Sequence, residues 1–324
     1  MQQANTWQFI FDNIENGIPV MLLYVLESHG SSPGRQGFFM AVTKNFEMEG
    51  SIGGGIMEHK FVEMARKRLD EEHPVEKKGV YKQVHDKEAV RNQSGMICSG
   101  EQTILLLPLY QKDLPSIHEL LLSLRKNENG TFILSPAGLA FENTPPATNF
   151  QYLFTSEADW IYREKTGYRN RISIIGGGHC SLALSALMRK LGFYVTVYED
   201  RQELKTFLQN KDAHARHIVK SYSELKELVQ PAANHFVVIM TFGYRTDDIA
   251  IRSLEGKEFS YIGVLGSSTK ISKMIEAYRQ EGMNENWLQQ LYAPIGIQIR
   301  SQTPEEIAVS IAAQIIQVKN KEAP

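Results

Sequence analysis

Cysteine is nearly missing: 324 residues carry two, Cys98 and Cys180. Two thiols build neither a disulfide framework nor a four-cysteine zinc site, so the expectation is a reduced, cytoplasmic chain whose thiol chemistry rests on one cysteine at a time. Long apolar runs are missing too. The longest uncharged ones, residues 18–26 and 104–110, fall far short of the roughly 18 residues a bilayer span requires and read as buried strands. Asp12 and Glu15 stand where a secretory signal would have a basic region followed by an apolar one. Neither sign of charge dominates, with 35 Lys and Arg against 37 Asp and Glu and a net charge of −2. That balance argues against a nucleic-acid partner, because phosphate neutralisation needs a clustered basic face. The short Arg66-Lys67-Arg68 group reads as a solvated helix face.

What is present is a globular composition, 42% hydrophobic and 22% charged, at a length that suits two domains or one large α/β unit. Residues 143–170 are rich in Pro, Thr and Asn with isolated aromatics and no sustained periodicity, so they read as a connection between a domain at 1–142 and another at 171–324. In the first domain the pattern predicts a helix before Gly17, strands near 20–26, 38–42, 80–84 and 103–110, and a helix over 57–69, an α+β arrangement. In the second, short apolar runs at 172–175, 194–198, 236–240 and 261–265 alternate with helical patterns. That rhythm predicts a Rossmann-like, doubly wound parallel sheet. Thr303-Pro304-Glu305-Glu306 signals a capped helix start, followed by Ile307, Ile311 and Ile315 on one face.

The most informative turn follows the strand at 172–175. Gly176-Gly177-Gly178-His179-Cys180-Ser181 opens a helix: Gly176 permits the tight turn, and Gly178 lets a phosphate approach amides favoured by the helix dipole. Ser181 holds the third glycine position. About twenty residues on, Glu199-Asp200 ends the next strand, where an acid would bond a ribose hydroxyl. A nucleotide or NAD(P) in this domain is therefore an expectation. His179 suits either a polar cap or a ligand contact, and Cys180 a small buried hydrophobe. Two further loops, residues 241–248 and 266–270, lie at strand ends; the second, with Lys270, reads equally as a phosphate cradle or an ordinary capped helix start.

The first half carries Ser28-His29-Gly30-Ser31-Ser32-Pro33-Gly34, built of turn residues, and Gly50-Ser51-Ile52-Gly53-Gly54-Gly55 leading into Ile56-Met57-Glu58-His59. The latter reads as an anion site or as glycines placed for close packing. Met96-Ile97-Cys98-Ser99-Gly100 puts the domain's single thiol in a short loop, where a thiolate suits a soft metal or sulfur ligand and a buried inert cysteine is the alternative.

Taken in order and spacing, these motifs resemble the XdhC/CoxI family, the xanthine dehydrogenase accessory proteins, over nearly the whole chain. The resemblance rests on Gly30-Ser31-Ser32-Pro33, residues 50–55 with Glu58, Cys98-Ser99-Gly100, and Gly176-Gly177-Gly178-His179. It also rests on residues 261–267 with Lys270, on Ala293-Pro294-Ile295-Gly296, and on Thr303 to Ala308. It implies an α/β protein with an N-terminal XdhC/CoxI-type α+β domain and a Rossmann-like domain. It implies a cytoplasmic maturation chaperone rather than a turnover enzyme. Such a chaperone binds molybdenum cofactor (molybdopterin), protects it, assists its sulfuration and delivers it to a xanthine-dehydrogenase-type molybdenum hydroxylase, with a cysteine desulfurase as a further partner.

Carried over by position, the resemblance puts Cys98 near the molybdenum and Gly53, Gly54, Gly55 and Glu58 around the pterin or phosphate. Gly176, Gly178, His179 and Lys270 form the contact in the second domain. The chain departs from the family's common pattern at Gly55-Ile56, at Ser99, and at Tyr244, where relatives often have His. A homodimer is expected, since a site built from loops is readily completed across a symmetric interface. Two other readings stand beside this one. One is an NAD(P)-dependent oxidoreductase using the Rossmann domain, and the other is a nucleotidyl- or sulfur-transfer enzyme with Lys270 or Cys98 in its chemistry.

Overall fold

The apolar run near residue 20 forms the central strand of the first half, and its alternation explains why it is apolar throughout. In the computed structural model, which describes residues 2–70, 79–84 and 100–321, the chain divides into two units, Met1–Gly167 and Tyr168–Pro324. The first unit opens with α1 (Gln2–Glu15), β1 (Val20–Gly30), β2 (Phe39–Thr43), β3 (Met48–Gly50) and α2 (Gly55–Asp70). There follow β4 (Gly79–Val84), β5 (Gly100–Leu109) and α3 (Leu114–Arg125). The five strands make an antiparallel sheet in the order β3-β2-β1-β5-β4. Val20, Leu22, Tyr24 and Leu26 pack with Trp7 and Ile10 of α1 and Ile117 and Leu120 of α3. Met21, Leu23 and Val25 pack on the other face with Met57, Phe61 and Val62 of α2. Successive residues of a strand point to opposite faces, so a strand covered on both is apolar at every position.

Beyond α3 come β6 (Thr131–Ser135), β7 (Gly138–Glu142), β8 (Phe150–Ser156) and β9 (Asp159–Lys165), a second antiparallel sheet in the order β7-β6-β9-β8. The units part at Gly167–Tyr168, within the stretch 143–170 expected to hold the boundary, but that stretch is not an unpatterned connection, since two of its segments are the paired strands β8 and β9. The signal was a two-residue alternation thinned by polar neighbours: Trp160, Tyr162 and Glu164 are buried while the residues between them are not. Glu164 lies in this core as a carboxylate held by the hydroxyls of Tyr24 and, at 2.7 Å, Tyr162.

The second unit alternates strand and helix as its pattern predicts. It runs β10 (Asn170–Ile175), α4 (His179–Lys190), β11 (Phe193–Glu199), α5 (Lys205–Leu208), β12 (Ala215–Ile218), α6 (Leu225–Leu228) and β13 (Ala232–Ile239). It continues with α7 (Tyr244–Leu254), β14 (Phe259–Val264), α8 (Ser268–Gln280), α9 (Glu285–Leu288), β15 (Leu291–Tyr292) and α10 (Pro304–Asn320). The sheet is parallel, in the order β12-β11-β10-β13-β14-β15. Ile174, Val195 and Val238 meet Leu184 and Met188 of α4 and Ile311 and Ile315 of α10 on one face. Ile175, Val237 and Ile262 meet Ile251 of α7 and Met274 of α8 on the other. This is the doubly wound architecture. Thr303 caps α10 as its sequence predicts: its hydroxyl accepts from the Glu306 N–H at 3.2 Å, and the Glu306 carboxylate accepts from the Thr303 N–H at 3.3 Å.

Winding starts at β10 and proceeds first toward β12, then, after the crossover to β13, toward β15. The reversal between β10 and β13 is where ligands of open α/β sheets collect.

Candidate functional site

In the first unit, three glycine loops separated in sequence converge at one end of the five-stranded sheet. β1 and β5 pair down to Gly30 opposite Gly100. A Cβ on Gly100 would lie 2.7 Å from the Ser32 nitrogen, and one on Gly34 would lie 2.0 Å from the Ile52 carbonyl oxygen. A Cβ on Gly53, whose φ is +125°, would lie 2.5 Å from the Gly34 nitrogen. All these neighbours are backbone, so the glycines let the loops touch main chain to main chain. Beneath them runs a buried polar chain: Ser32 Oγ lies 2.8 Å from Gln102 Oε1, and Gln102 Nε2 donates to Gln83 Oε1 at 3.0 Å. A cavity of about 240 Å³ opens beside Ser51, lined also by Gln3, Thr6, Gly37, Phe38, Phe39 and Gly50.

Of the site residues expected here, Gly53 is a packing glycine, whereas nothing lies within 4 Å of a Cβ placed on Gly54 or Gly55. The loop amides are not an empty anion cradle. Glu58 Oε2 accepts from Ile52 N at 2.9 Å, Gly54 N at 3.0 Å and the Ser51 hydroxyl at 2.7 Å, so the chain's own carboxylate sits at the start of α2. Glu58 Oε1 makes no hydrogen bond among the described residues and stays available as an acceptor. Cys98 lies outside the described residues, two positions before Gly100.

In the second unit the turn after β10 meets the loop after β13. Gly176 has φ +103°, and a Cβ there would lie 2.4 Å from the Met240 carbonyl oxygen and 2.8 Å from Thr241 Cα. Gly177 is consumed internally: its N–H donates to Glu199 Oε2 at 2.6 Å and its carbonyl accepts from the Thr206 hydroxyl at 2.6 Å. Gly178 is the open member, the N-cap of α4 with nothing within 4 Å of a Cβ. His179 follows on the exposed first turn and makes no hydrogen bond among the described residues. Burial pushes the Cys180 thiol up, which agrees with a small hydrophobe rather than a reactive thiolate.

Sequence reasoning placed Glu199 or Asp200 at the end of β11 for a ribose hydroxyl; the structure takes Glu199 out of that role and leaves Asp200 partly exposed. Glu199 is 0% exposed. It accepts five hydrogen bonds: from the N–H groups of Gly177, Asp200 and Arg201, and from Arg201 Nε at 2.7 Å and Nη2 at 3.0 Å. Burial pushes its carboxyl up, but the donors from Arg201, Asp200 and Gly177 outweigh that, and the net direction is down. Neighbouring Asp200 is pushed up, by burial and then by its hydrogen bond to Glu199 and that group's charge. The Asp200 carboxylate accepts from the Tyr222 hydroxyl at 3.3 Å. The Arg201 guanidinium lies 5.4 Å from the ring of Phe242, which is 86% exposed in the loop after β13. Neither residue was singled out from sequence. The available signals were an arginine two places past the strand-end acid and a large aromatic in a strand-end loop.

Lys270 is engaged within the chain at a capped helix start. Ser267 caps α8, and the Lys270 ammonium bonds the Asp247 carboxylate, which is 1% exposed and also accepts from Thr241 N at 3.0 Å and Thr241 Oγ1 at 2.6 Å. The pair ties α7 and α8 to the end of β13. Lys270→Met leaves a buried carboxylate with its threonine donors only. We expect a loss of about 2 kcal/mol, below the roughly 3–5 kcal/mol for a fully buried pair because those donors remain and the lysine is partly exposed. Urea unfolding measures it, and an unshifted midpoint would show the pair to be neutral in net energy.

Among the described residues no three His, Cys, Asp or Glu side chains gather as metal ligands, and no helix is long and apolar enough to cross a membrane. Comparison with known proteins matches both units. Residues 172–315 match the model described as the XdhC Rossmann domain, and residues 14–78 match that of the XdhC and CoxI family. The chain is 25% identical over 310 residues to the uncharacterized protein YqeB of Escherichia coli K12, covering 94% of this chain and 44% of that protein. It is 28% identical over 155 residues to a probable xanthine dehydrogenase subunit of Bacillus subtilis 168, covering 47% of this chain and 44% of that protein. The matched part is thus less than half the length of these curated relatives. The crystal structure of a xanthine dehydrogenase from Bacillus halodurans superposes with a TM-score of 0.72 at 22% identity, over 99% of this chain and 97% of that one, which shows a shared fold. With residues 30–34 and 50–55 inside one match and the Rossmann turn and Lys270 inside the other, the chain belongs to the XdhC and CoxI family.

Proposed function

We propose that the chain is an accessory protein of a xanthine-dehydrogenase-type molybdenum hydroxylase. In this reading it binds molybdenum cofactor as cargo in its first unit, protects it, assists its sulfuration together with a cysteine desulfurase, and delivers it to the apo-enzyme in the cytoplasm. Family membership supports the accessory role. The observation that carries the binding role is the convergence of residues 30–34, 50–55 and Gly100, with Gly50 and Ser51 lining a cavity and Gly54 and Gly55 open outward.

The donor set fits one end of the cargo better than the other. A pterin ring presents amino and ring N–H donors, for which Glu58 Oε1 is a ready acceptor and Phe38 an exposed aromatic neighbour of the cavity. A phosphate at the same amides would meet the Glu58 carboxylate that already holds them. The loop therefore suits the pterin ring, and Cys98, close in sequence to Gly100, is the thiol assigned to the molybdenum end. In the oxidoreductase reading Glu199 has no capacity left for a ribose diol, so an NAD-type contact there would fall to Asp200.

Protein purified from cells that make molybdenum cofactor is expected to carry near-stoichiometric pterin, read as fluorescence after acid oxidation. The same preparation from cells unable to make the cofactor should carry none. Cys98→Ala should lose most of the bound molybdenum. Light scattering on these preparations tests the homodimer that completes this reading. Equal, negligible pterin in both strains would end it, and full metal retention by Cys98→Ala would remove the thiol from the site.

A further inference from the structure

We infer that the second unit holds a nucleotide whose adenosine ribose carries a phosphate, an NADP-type ligand, in preference to one with a free ribose diol. The inference concerns the crevice between the turn after β10 and the loop after β13, and it stands apart from cargo binding in the first unit.

In dinucleotide sites of this fold the acid ending the second strand takes the ribose hydroxyls, whereas a nearby arginine accommodates a 2′-phosphate. Glu199 occupies the acid's place in sequence but not its role: it is buried and accepts five hydrogen bonds from protein donors. Its function is to brace Arg201. Nε and Nη2 of that guanidinium are fixed on the carboxylate, while Nη1 makes no hydrogen bond among the described residues and the side chain remains 41% exposed. A guanidinium held flat on one edge with its other edge free is organised for a phosphate oxygen before any ligand arrives.

The rest of the crevice suits a nucleotide. Phe242 stands over the guanidinium with its ring exposed, and solvent-exposed aromatic rings of this size take part in stacking with a base. Open space above Gly178 admits a diphosphate to the start of α4, and the exposed His179 stands next to it. The competing group is Asp200, whose partly exposed carboxylate lies 3.9 Å from Arg201 Nε and could itself accept from a diol.

Calorimetric titration of the full chain with NADP⁺, NAD⁺, 2′,5′-ADP and 5′-AMP separates these. NADP⁺ is expected to bind at least tenfold more tightly than NAD⁺, and 2′,5′-ADP at least tenfold more tightly than 5′-AMP. Raising the salt concentration should narrow both gaps. Phe242→Ala changes an exposed side chain, so it should leave the unfolding midpoint in place while weakening NADP⁺ about tenfold. Arg201→Lys keeps a cation on Glu199 and should erase most of the preference; its unfolding midpoint, measured alongside, shows whether the fold survives. Tighter binding of NAD⁺ than NADP⁺, lost in Asp200→Asn, would overturn the inference in favour of Asp200 as a diol acceptor. Absence of binding by all four ligands at millimolar concentration would overturn it outright.

Discussion

Glu199→Ala is expected to lower the stability of the second unit by about 3–5 kcal/mol, the range for removing one partner of a buried, hydrogen-bonded ion pair. The substitution strips the Gly177 and Arg201 N–H groups of their acceptor and leaves the guanidinium beside a cavity. At roughly 2–4 °C per kcal/mol for a unit of this size, thermal unfolding should move down by on the order of 10 °C. Glu199→Gln keeps the shape and some of the bonds, and its informative signature is the pH dependence. The folded-state carboxyl of Glu199 is held below its ordinary value. A group of that kind contributes stability that is fully present above the unfolded pKa, near 4.3 for Glu, and is lost as pH falls through the folded value. The parent should therefore lose stability through the acid range more steeply than Glu199→Gln, the two curves converging toward low pH. Parallel curves in thermal melts between pH 3 and pH 7 would show that the carboxylate is not the brace described.

This residue also marks how far the sequence could be read. The parallel sheet, the turn at 176–178 and the cap at Thr303 were legible because each depends on local pattern: apolar runs of strand length, a glycine run opening on the positive φ of Gly176, and a hydroxyl three places before an acid. The sheet formed by β6 to β9 was not, since in β9 the buried Trp160 and Tyr162 are single aromatics separated by less buried residues and the pairing partners of the sheet lie up to 34 positions apart, as in Thr131 opposite Lys165. In the candidate sites, residue type pointed to glycine turns and helix starts, but the partners of the charged side chains could not be read from it. Glu199 stands where a ribose acceptor would, and only its contacts reveal that the Gly177 amide and Arg201 have claimed it. Glu58 stands at a helix start like a ligand residue and turns back on its own loop. Lys270 sits in a phosphate-like loop and is spent on Asp247, which lies 23 residues earlier. Charges whose partners come from another element cannot be assigned by spacing alone.

The first unit's loop allows packing and binding to be told apart with two adjacent glycines. Gly53→Ala forces a methyl to within 2.5 Å of the Gly34 nitrogen and 2.6 Å of the Pro33 carbonyl carbon, in a conformation with φ +125°. Backbone cannot rotate aside as a side chain can, so overpacking and strain together should cost about 3–4 kcal/mol and part the two loops. Gly54→Ala adds its methyl where nothing lies within 4 Å, at φ +75°, so only the left-handed backbone opposes it and the loss should be about 1 kcal/mol. Stability and cargo then diverge. Gly53→Ala should lose urea resistance and bound pterin together. Gly54→Ala should unfold nearly as the parent does yet retain less than half its pterin, because the added methyl stands beside the amide that Glu58 holds and on the open side of the loop. Parent-level pterin in a folded Gly54→Ala protein would move the ring away from this loop and leave its glycines to the single task of letting the chain pass close to itself.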